Sequence, residues 1–387
     1  MEDSFLVGDL GETYRMYKLW TENLPMVKPF YAVKSNPDSS MLKLMAAIGI
    51  GFDCASKKEI NTMLQHGVKP EDIIYANPCK QVSHLRFARQ NSVKKMTFDN
   101  LEELHKTHKY YPDAELYLRI LPMDCNSKVP FGEKFGAEVN GSCVDLLKTA
   151  KELNLNVTGI SFHVGSDCLN PQSYVETIRR SKLVFDQAKK LDINIKVLDI
   201  GGGFPGHQNK KEFIEIAKAV TEALDLYYQK EDVSFIAEPG RFFAASYFTL
   251  ATTVIGKRVC ESNDDYKSKS IMYYLNDGVF KSFAEGAFIP QILYKPRILK
   301  RGDEIYPKIE STENDVECSL WGPALGAKDK INIEKGLKLP ELKLEDWLYF
   351  ENMGSYSTCF NMEFNGFEQS HKVYINTEKE GINKLLK

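Results

Sequence analysis

The sequence lacks the features that would assign it at once to several classes of protein. No apolar run approaches the roughly 18–20 residues that cross a bilayer, so no membrane-spanning helix is predicted. The eight cysteines show no C-x-x-C or similar spacing, which argues against a zinc site and against a secreted disulfide framework. The opening MEDSFLVGDL is acidic and lacks the basic n-region of a signal peptide. We therefore expect a cytoplasmic protein with reduced thiols and no resident metal.

An excess of charge of one sign is also absent. The 50 basic and 53 acidic residues leave a formal net charge of -3, which gives no general attraction to nucleic acid or to an anionic membrane. Hydrophobic residues make up 43% of the 387 residues and charged residues 27%, an ordinary balance for a globular protein. The length suffices for one large α/β domain or for two smaller ones.

Short apolar runs alternate with helix-length segments through the first 245 residues. The eight predicted strands are Phe30–Val33, Gly51–Cys54, Ile73–Tyr75, Lys95–Phe98, Leu116–Ile120, Gly159–Val164, Lys196–Ile200 and Ser234–Ala237. The helical segments between them are Asp38–Ala47, Lys57–His66, Gln81–Gln90, Leu101–His108, Cys143–Leu153, Gln172–Leu191 and Lys211–Tyr228. This alternation predicts a parallel sheet, and eight strands are the number of a closed (β/α)8 barrel. An open doubly wound sheet would give the same alternation.

The pattern changes after Ala245. Four further strands are predicted, without regular helices between them: Phe248–Arg258, Ile271–Leu275, Trp347–Glu351 and Lys372–Ile375. Strands that follow one another in this way favour antiparallel pairing. The sequence therefore predicts a second, mainly antiparallel β domain.

Lys34 follows the apolar run of the first predicted strand, near its C-terminal end. In a barrel, that end of each strand faces the mouth where active sites lie. A lysine there can form a Schiff base with an aldehyde cofactor, and partial burial lowers its pKa toward that task. A solvated lysine at a strand end would give the same sequence pattern.

Two further polar segments come directly after predicted strands. Asp199–Gly206 (DIGGGFPG) is a glycine-rich turn whose backbone N–H groups can close on a phosphate. It lacks the Walker A and G-x-G-x-x-G spacings, so a plain tight turn is the alternative. In Glu238-Pro239-Gly240-Arg241 the glutamate can pair with a pyridinium nitrogen and the arginine can hold a phosphate. A structural ion pair is the alternative for this segment.

Four other polar residues lie at the same ends of predicted strands. His163 can stack on a planar cofactor, Ser166 can bind a phosphate, and Asp53 and Arg119 also end strands. Each is a weak signal alone, since a single histidine is usually structural. Their common placement at one end of the predicted barrel indicates an active site.

These motifs make the chain similar to the eukaryotic ornithine decarboxylases, fold-type III enzymes that depend on pyridoxal 5′-phosphate (PLP). The resemblance covers essentially the whole chain, and its markers are PFYAVKSN, GFDCASKKEI, IIYANPCKQVS, SFHVGS, LDIGGGFPG, AEPGR, NDG, WGP and FENMGSY. It implies an α/β fold with an N-terminal (β/α)8 PLP-binding barrel of the alanine racemase type over residues 8–245. It also implies a C-terminal antiparallel β domain over residues 246–387, to which residues 1–7 belong.

The resemblance implies roles for individual residues. Lys34 would carry the cofactor, His163 would stack on its ring, and Glu238 would keep its pyridine nitrogen protonated. The phosphate would be held by Ser166, Gly202, Gly203, Gly240, Arg241 and Tyr356. The lysine and its surroundings would be oriented by Asp53, Glu59 and Arg119. All these residue types are present, so we expect the chain to bind PLP.

The residues that would contact the substrate, by the same resemblance, differ from those of the family. In the loop WGPALGAKD, the resemblance implies a cysteine where Leu325 stands and an aspartate where Gly326 stands. Leucine cannot donate the proton that the family's cysteine supplies after CO2 leaves, and glycine offers no charge to the distal ammonium of ornithine. The family's tyrosine in DGVYGSF is Phe280 here. A second family carboxylate has only the displaced Glu285 as a counterpart.

The expected function is therefore PLP-dependent decarboxylation of ornithine or a related amino acid, as in putrescine formation for polyamine biosynthesis. The changed loop predicts weakened or altered substrate recognition and resistance to ornithine-analogue suicide inhibitors. Two alternatives remain. One is a catalytically impaired regulatory protein of the antizyme-inhibitor type. The other is a diaminopimelate, arginine or broad-specificity decarboxylase of the same fold.

The resemblance also implies partners. It predicts a head-to-tail homodimer in which each active site takes its lysine from one subunit and the loop around Leu325 from the other. A regulator resembling antizyme would bind around Gln81–Lys109, a stretch rich in basic residues, although a solvated helix face explains that composition equally. Typical relatives also begin with a further N-terminal segment, and vertebrate relatives carry an extended C-terminal tail.

Overall fold

A computed structural model of the chain describes residues 2–123, 127, 132, 134–206, 209–261, 269–302, 304, 305 and 315–378. Contacts divide these residues into two compact units. The barrel unit is Thr13–Phe243, and the β unit combines residues 2–12 with Ala244–Glu378. Residues 8–12, which the sequence analysis assigns to the barrel, are thus grouped with the β unit.

Strands and helices alternate in the barrel unit, whereas strands dominate the β unit. Within the described ranges, the strands are β1 (Phe5–Asp9), β2 (Val27–Ala32), β3 (Gly51–Cys54), β4 (Ile73–Tyr75), β5 (Lys95–Phe98), β6 (Glu115–Arg119), β7 (Asn156–Ser161), β8 (Val197–Asp199), β9 (Ser234–Ala237), β10 (Phe248–Glu261), β11 (Lys269–Leu275), β12 (Arg297–Arg301), β13 (Glu304–Ile305), β14 (Val316–Trp321), β15 (Lys338–Leu339), β16 (Trp347–Phe350) and β17 (His371–Ile375). The α-helices are α1 (Leu10–Asn23), α2 (Ser39–Ala47), α3 (Lys57–Gln65), α4 (Val82–Gln90), α5 (Leu101–Tyr110), α6 (Gly141–Glu152), α7 (Pro171–Lys190), α8 (Lys210–Tyr228), α9 (Arg241–Ala244) and α10 (Ala284–Phe288). Among the residues described, no helix is both long and apolar enough to span a bilayer.

Strands β2 to β9 form a closed parallel barrel. Each strand pairs with the next in chain order, and β9 returns to pair with β2, with Phe235 opposite Val27. Closure confirms the predicted (β/α)8 barrel and excludes the open doubly wound sheet. Because all eight strands are parallel, their C-terminal ends form one rim. We call this end of the barrel the catalytic rim.

Short polar side chains start several helices of the barrel unit. The Asp38 carboxylate accepts from the backbone N–H of Ser40 and of Met41 at the start of α2, at 3.2 and 3.3 Å. Ser56 accepts from the N–H of Glu59 at 3.3 Å at the start of α3. Asn100 accepts from the N–H of Glu103 at 2.9 Å at the start of α5. These caps satisfy N–H groups that have no partner inside the helix, and so fix where each helix begins after its strand.

Helix α1 was not predicted from the sequence, and its last turns pack on an aromatic cluster of the barrel unit. The Trp20 ring lies 4.9 Å from that of Phe204 and 5.3 Å from that of Phe242. Its indole N–H donates to the Val27 carbonyl at 2.8 Å, which joins α1 to the start of β2. A fully buried tryptophan with its N–H satisfied stabilises this junction by both apolar burial and hydrogen bonding.

Lys80 is a fully buried lysine in the loop between β4 and α4. Its ammonium lies 2.7 Å from the Glu103 carboxylate and donates to the carbonyls of Thr97 and Asn77 at 2.7 and 3.2 Å. Burial lowers the pKa of Lys80, and the charge of Glu103 opposes that shift. The carboxylate therefore keeps a buried cation compensated, and it anchors α5 to the loop before α4.

We expect Glu103→Ala to destabilise the protein by about 3–5 kcal/mol, because it leaves the Lys80 ammonium buried without its counter-charge. Urea unfolding followed by circular dichroism measures the change. The matched control is Glu102→Ala, one residue earlier on α5, where the side chain is exposed. Equal effects of the two substitutions would show that the buried ion pair contributes nothing special.

The β unit contains a nine-stranded sheet within the described residues, with the order β13-β12-β16-β10-β11-β14-β15; in addition, β1 pairs with β10, and β17 pairs with β1. Most neighbours are antiparallel, as predicted. Two pairs are parallel: β1 with β17, and β11 with β14. Strands β12 to β15 are not predicted by the sequence. Strand β12 is rich in charged residues, β13 and β15 have two residues each, and β14 pairs with β11, which is distant in sequence.

Candidate active site

The barrel brings five predicted site residues to the catalytic rim. Lys34 lies in a short 3-10 turn directly after β2, and Asp53 is the penultimate residue of β3. Arg119 ends β6, His163 lies just beyond β7, and Glu238 follows β9. Each side chain is therefore placed by a strand end, where backbone position is well defined by the barrel hydrogen bonds.

Lys34 and Asp53 form an ion pair at this rim. The ammonium lies 2.6 Å from Asp53 Oδ2, and the Asp53 side chain is fully buried while that of Lys34 is 39% exposed. The other carboxylate oxygen, Asp53 Oδ1, is buried without a hydrogen-bond partner among the described residues. The geometry holds the lysine amine in one place while leaving it open to a reactant.

Glu59 supports the turn that follows β3. Its carboxylate accepts from the backbone N–H of Ala55 at 2.5 Å, while its own N–H donates to Ser56. Burial raises the pKa of Glu59, and the nearby Asp53 charge adds to this effect. The residue therefore fixes the loop beside Asp53, and the Lys34 charge lowers its pKa.

Glu238 and Asp199 form a buried pair of carboxyl groups. Burial raises the pKa of Glu238 well above its usual range, and the charges of Asp199 and Asp53 raise it further. Burial raises the pKa of Asp199 to about 7, although that group accepts from the N–H of Gly201 at 2.8 Å. Like charges in a low-dielectric site disfavour double ionisation, so the pair retains a proton to a higher pH than a free carboxyl does.

Asp199 is the functional residue that sequence reasoning missed. The sequence analysis includes Asp199 only as the first residue of the glycine-rich turn and gives its carboxylate no role. Its position at the end of β8, beside the strand that leads to Glu238, is the signal that would have found it, because adjacent parallel strands bring their ends together.

The carboxyl pair predicts a pH dependence for the cofactor-free protein. A raised folded-state pKa means that the folded protein binds more protons than the unfolded chain between about pH 4 and pH 7, so stability falls as the pH rises through that window. Asp199→Asn removes one titrating group and keeps an oxygen for the Gly201 N–H. We expect the variant to gain on the wild type by up to about 1.4 kcal/mol per pH unit in that window.

Urea unfolding of both proteins between pH 5 and pH 8 measures this difference, in which shifts of other groups cancel. Glu231→Gln, a surface carboxylate of the barrel unit that pairs with lysines, is the control and should leave the slope unchanged. A parallel pH profile for wild type and Asp199→Asn would contradict a shared proton.

His163 is a neutral imidazole at neutral pH. Burial lowers its pKa well below the usual value, and the charges of Arg119 and Lys34 lower it further. Its Nδ1 accepts from the backbone N–H of Gly165 at 3.0 Å, which puts the ring proton on Nε2. An uncharged flat ring held in one orientation is suited to stacking on a planar group.

Arg119 supplies the compensating cation of the rim. Burial lowers its pKa, and the charges of Glu238, Asp99 and Asp53 oppose that shift. Its guanidinium also lies 5.1 Å from the centre of the Phe135 ring. The residue therefore balances the acidic groups of the site while remaining charged.

A glycine-lined cradle lies beside these groups. Gly201 and Gly203 adopt φ values of 63° and 103°, and added Cβ atoms would lie 2.0 Å from the Phe162 carbonyl and 2.4 Å from the Gly165 carbonyl. Both positions therefore require glycine. The neighbouring Gly202 is equally tight, since its Cβ would meet His163 Nε2 at 2.8 Å.

Two further contacts complete the cradle, one between Arg241 and Ser166 and one between Gly240 and Ser35. The Arg241 guanidinium donates to the Ser166 hydroxyl at 3.4 Å, and both side chains are buried. Gly240 approaches Ser35 closely, because an added Cβ would lie 3.0 Å from the Ser35 Cβ. Arginine, a hydroxyl and close backbone N–H groups form a set that suits a phosphate dianion.

These residues together fit pyridoxal 5′-phosphate. Lys34 offers an amine for the aldehyde, His163 a neutral ring for stacking, and the cradle a place for the phosphate. Glu238 Oε1 is buried without a hydrogen-bond partner among the described residues, as expected of an atom that awaits the N–H of a pyridinium. No group of three or more metal-ligating side chains is found within the described ranges.

The remaining predicted site residues lie in the β unit. Tyr356 has a left-handed backbone conformation, φ 51°, and its ring stacks on that of Phe360 at 6.1 Å. Leu325 is 90% exposed at the tip of its loop. Glu285, on α10, is only 4% exposed, so its carboxylate does not share the exposed surface of that helix.

Phe280 and Gly326 are packed against each other in the β unit. The Phe280 ring stacks on that of Phe364, with centroids 4.6 Å apart and planes 24° apart. A Cβ at Gly326 would lie 2.7 Å from the Phe280 ring. A side chain at position 326 would therefore require the Phe280 ring to shift from the place that it occupies in this structure.

Comparison with known proteins agrees with this geometry. The family model described as pyridoxal-dependent decarboxylase, pyridoxal binding domain, matches residues 10–245. A probable ornithine decarboxylase of Dictyostelium discoideum is 43% identical over 98% of this chain and 80% of its own length. Antizyme inhibitor 2 of Xenopus laevis is 45% identical over 96% of this chain and 81% of its own length.

A solved structure resembles the whole fold. The arginine decarboxylase of Paramecium bursaria Chlorella virus, bound to agmatine, has a TM-score of 0.89 and 35% sequence identity, and the match covers 97% of this chain and 96% of that one. Barrel and sheet are thus both present in an experimental structure of similar sequence.

Proposed function

The chain belongs to the pyridoxal-dependent decarboxylases, and on that premise we propose that it releases CO2 from ornithine or a related amino acid. Its cofactor is pyridoxal 5′-phosphate. The observation that carries the proposal is the Lys34–Asp53 ion pair on the same rim as the buried Glu238 carboxyl, whose Oε1 has no hydrogen-bond partner among the described residues. An amine for the aldehyde and an acid for the ring nitrogen are the two groups that this chemistry requires.

When bound, the cofactor withdraws the electrons that the departing CO2 leaves behind. Glu238 holds a proton on the side of the ring nitrogen and so strengthens that withdrawal. Asp53 orients the Lys34 amine, and the neutral His163 imidazole covers one ring face without adding charge. Arg241, Ser166 and the cradle glycines fix the phosphate, which keeps the reacting bond in one orientation.

The changed loop is the basis for a finer proposal about the substrate. Leu325 offers no proton to the carbon that loses CO2, so water or another group supplies it and turnover is slow. Gly326 offers no carboxylate to a distal ammonium. We therefore propose weakened ornithine recognition and resistance to suicide inhibitors that resemble ornithine and react with a thiol.

Assembly and location follow from the family resemblance. We propose a homodimer in which the loop around Leu325 serves the active site of the partner subunit, in a cytoplasmic enzyme of polyamine biosynthesis. The described cysteines form no disulfide, which suits a reducing compartment.

The direct test is CO2 release from carboxyl-labelled ornithine, lysine, arginine and leucine by purified protein with added PLP. We expect release from at least one of them that exceeds the rate with Lys34→Ala. Protein that binds PLP and releases no CO2 from any amino acid would reject the proposal.

A regulatory role of the antizyme-inhibitor type is the second candidate. The observation that favours it is the 45% identity to antizyme inhibitor 2 together with the loss of the loop thiol. The surface concerned is formed by α4 and α5, where Arg86 stacks on Tyr110 at 4.9 Å. Such a protein would bind antizyme whether or not it binds PLP.

Co-purification with antizyme distinguishes the two candidates. We expect a regulatory protein to bind it and to lose binding in Arg86→Glu, whereas Lys218→Glu, on the exposed face of α8, should not matter. No binding by the wild-type chain would remove this second candidate.

A further inference from the structure

We infer that Asp167 sets the affinity of this protein for the phosphate group of its cofactor. Its carboxylate lies buried beside the glycine-lined cradle and opposes a bound phosphate, so the cradle holds PLP less tightly than it would with a neutral side chain there. The inference rests on the proposed function, since it concerns the cofactor site of that function. It adds a residue that determines how strongly the site favours a phosphorylated ligand.

Asp167 lies between two residues that contact the cradle. On one side of it in the chain, the Ser166 hydroxyl accepts from the Arg241 guanidinium at 3.4 Å. On the other side, the Cys168 N–H donates to the Gly203 carbonyl at 2.9 Å. Because consecutive Cα atoms are about 3.8 Å apart, the Asp167 side chain starts within one residue of both contacts.

The Asp167 carboxylate is buried at this place rather than turned to solvent. The residue is 3% exposed. Burial raises the pKa of the Tyr174 hydroxyl, and the charges of Cys168 and Asp167 raise it further. The same hydroxyl donates to the Gly202 carbonyl at 3.3 Å, and an added Cβ at Gly203 would lie 2.9 Å from it. The carboxylate is therefore near a hydroxyl that touches two of the cradle glycines.

The backbone of Asp167 has a left-handed conformation, with a φ of 53°. This conformation is unfavourable for most side chains, but aspartate and asparagine tolerate it better than the others. An asparagine can therefore take the place of Asp167 with the same backbone and nearly the same shape. The charge of the residue can thus be removed without a change in the turn that carries Ser166.

A buried carboxylate beside the cradle opposes a phosphate in two ways. It accepts hydrogen bonds from the same kinds of donor as a phosphate, which are arginine, hydroxyl and backbone N–H groups, and so competes for them. Its negative charge also repels the charge of the phosphate, and salt and water screen this repulsion little inside a protein. An uncharged side chain of the same shape removes the repulsion and weakens the competition.

The consequence concerns how much of the protein carries its cofactor. The loaded fraction depends on the concentration of free PLP relative to the dissociation constant. A carboxylate that raises this constant makes loading follow the supply of PLP. Asp167 would then act as a built-in limit on the amount of loaded protein.

The test compares PLP with pyridoxal, which has the same ring and aldehyde but no phosphate. Equilibrium dialysis of the full chain, freed of cofactor, measures the dissociation constant of each compound. In Asp167→Asn we expect the ratio of the pyridoxal constant to the PLP constant to rise at least about tenfold, which corresponds to about 1.4 kcal/mol. The rise should come from tighter binding of PLP alone. Asp167→Gly suits the left-handed backbone and should change the ratio in the same direction.

Asp192→Asn is the matched control for the substitution. Asp192 also has a left-handed backbone, with a φ of 56°, and it lies in the barrel unit. Its carboxylate pairs with Lys151 at 3.3 Å on the surface, where the side chain is 89% exposed. We expect both dissociation constants to stay as in the wild type. An equal rise of the ratio in this control would mean a general effect of net charge and would overturn the inference.

Thermal unfolding gives a second readout, because a ligand that binds the folded protein raises its Tm. At one concentration of PLP, Asp167→Asn should gain more in Tm than the wild type does. The gain from pyridoxal should be the same in both proteins. A smaller gain from PLP in the variant would contradict tighter binding.

Four results of the dialysis overturn the inference. An unchanged ratio in both Asp167 variants shows that the carboxylate does not act on the phosphate. Equal changes for PLP and pyridoxal give Asp167 a structural role only, and weaker binding of PLP shows that the carboxylate supports the phosphate. Absence of PLP binding in the wild type and in both variants overturns it as well. A raised ratio without CO2 release from any amino acid upholds the inference and rejects the proposed function.

Discussion

Lys34→Ala is expected to lower CO2 release by about 10³-fold or more and to remove the covalently bound form of the cofactor from the absorption spectrum. The physical reason is that the Lys34 amine, held 2.6 Å from Asp53 on the catalytic rim with its side chain 39% exposed, is placed where an aldehyde can reach it. Alanine removes the ammonium that lies 2.6 Å from the buried Asp53 carboxylate. Activity assays and spectra of the purified variant with added PLP measure both effects.

Lys28→Ala is the matched control for this experiment. Lys28 lies on the same strand, β2, and also pairs with a carboxylate, Asp72, at 2.7 Å, but its side chain is 48% exposed. We expect the control to keep wild-type activity, because a surface ion pair contributes little. Loss of activity in both variants would mean that substitutions in β2 destabilise the protein in general. Full activity in Lys34→Ala would show that the lysine takes no part in the mechanism.

Glu238→Gln is expected to lower kcat by about 10²–10³-fold while changing KM much less. Glutamine keeps the shape of the side chain but cannot hold the proton on the cofactor's ring nitrogen. The cofactor itself should still bind, because Lys34 and the glycine cradle are unchanged. A loss of kcat with PLP retained is the signature of an electronic role rather than a structural one.

A control variant and two possible outcomes for Glu238→Gln decide this second prediction. Glu115→Gln, at the N-terminal end of β6 and therefore at the opposite end of the barrel, should behave like the wild type. An unchanged kcat in Glu238→Gln would contradict the assignment of the buried Oε1 atom to the cofactor. Loss of PLP together with activity would instead make Glu238 a structural residue of the rim.

The barrel could be predicted from the sequence because each of its strands is a local apolar run. All eight predicted strands coincide with observed ones to within a few residues, and the helices between them begin at residues such as Asp38 and Asn100 that cap them. Local composition determines both features. Eight predicted strands favour a closed barrel, and the pairing of β9 with β2 confirms it.

Other elements could not be predicted, because they depend on partners far away in sequence. Strand β1 pairs with β10 and β17, and its short run FLVGD carries no signal of either partner. Asp199 became a site residue only when the barrel brought it to Glu238. The burial of Glu285 likewise depends on how the β unit packs, so its failure to face the exposed surface was not visible in the sequence.

The roles that the resemblance implies for Lys34, His163, Glu238 and the phosphate residues remain proposals about chemistry. The structure brings those in the barrel unit to one rim, and it leaves Tyr356 in the β unit. In the changed loop, Gly326 packs directly against the Phe280 ring, whereas Leu325 is exposed and has no structural explanation. Variants of the rim residues therefore test the chemistry, and variants of Phe280 and Gly326 test the packing of the loop.

The most direct test of the account is to locate the cofactor on the chain. Protein incubated with PLP is reduced with sodium borohydride, digested, and mapped by mass spectrometry for a lysine that carries the phosphopyridoxyl group. The account predicts one modified peptide, the one that contains Lys34, and none in Lys34→Ala. Modification of a different lysine, or no modification of protein that has bound PLP, would contradict it.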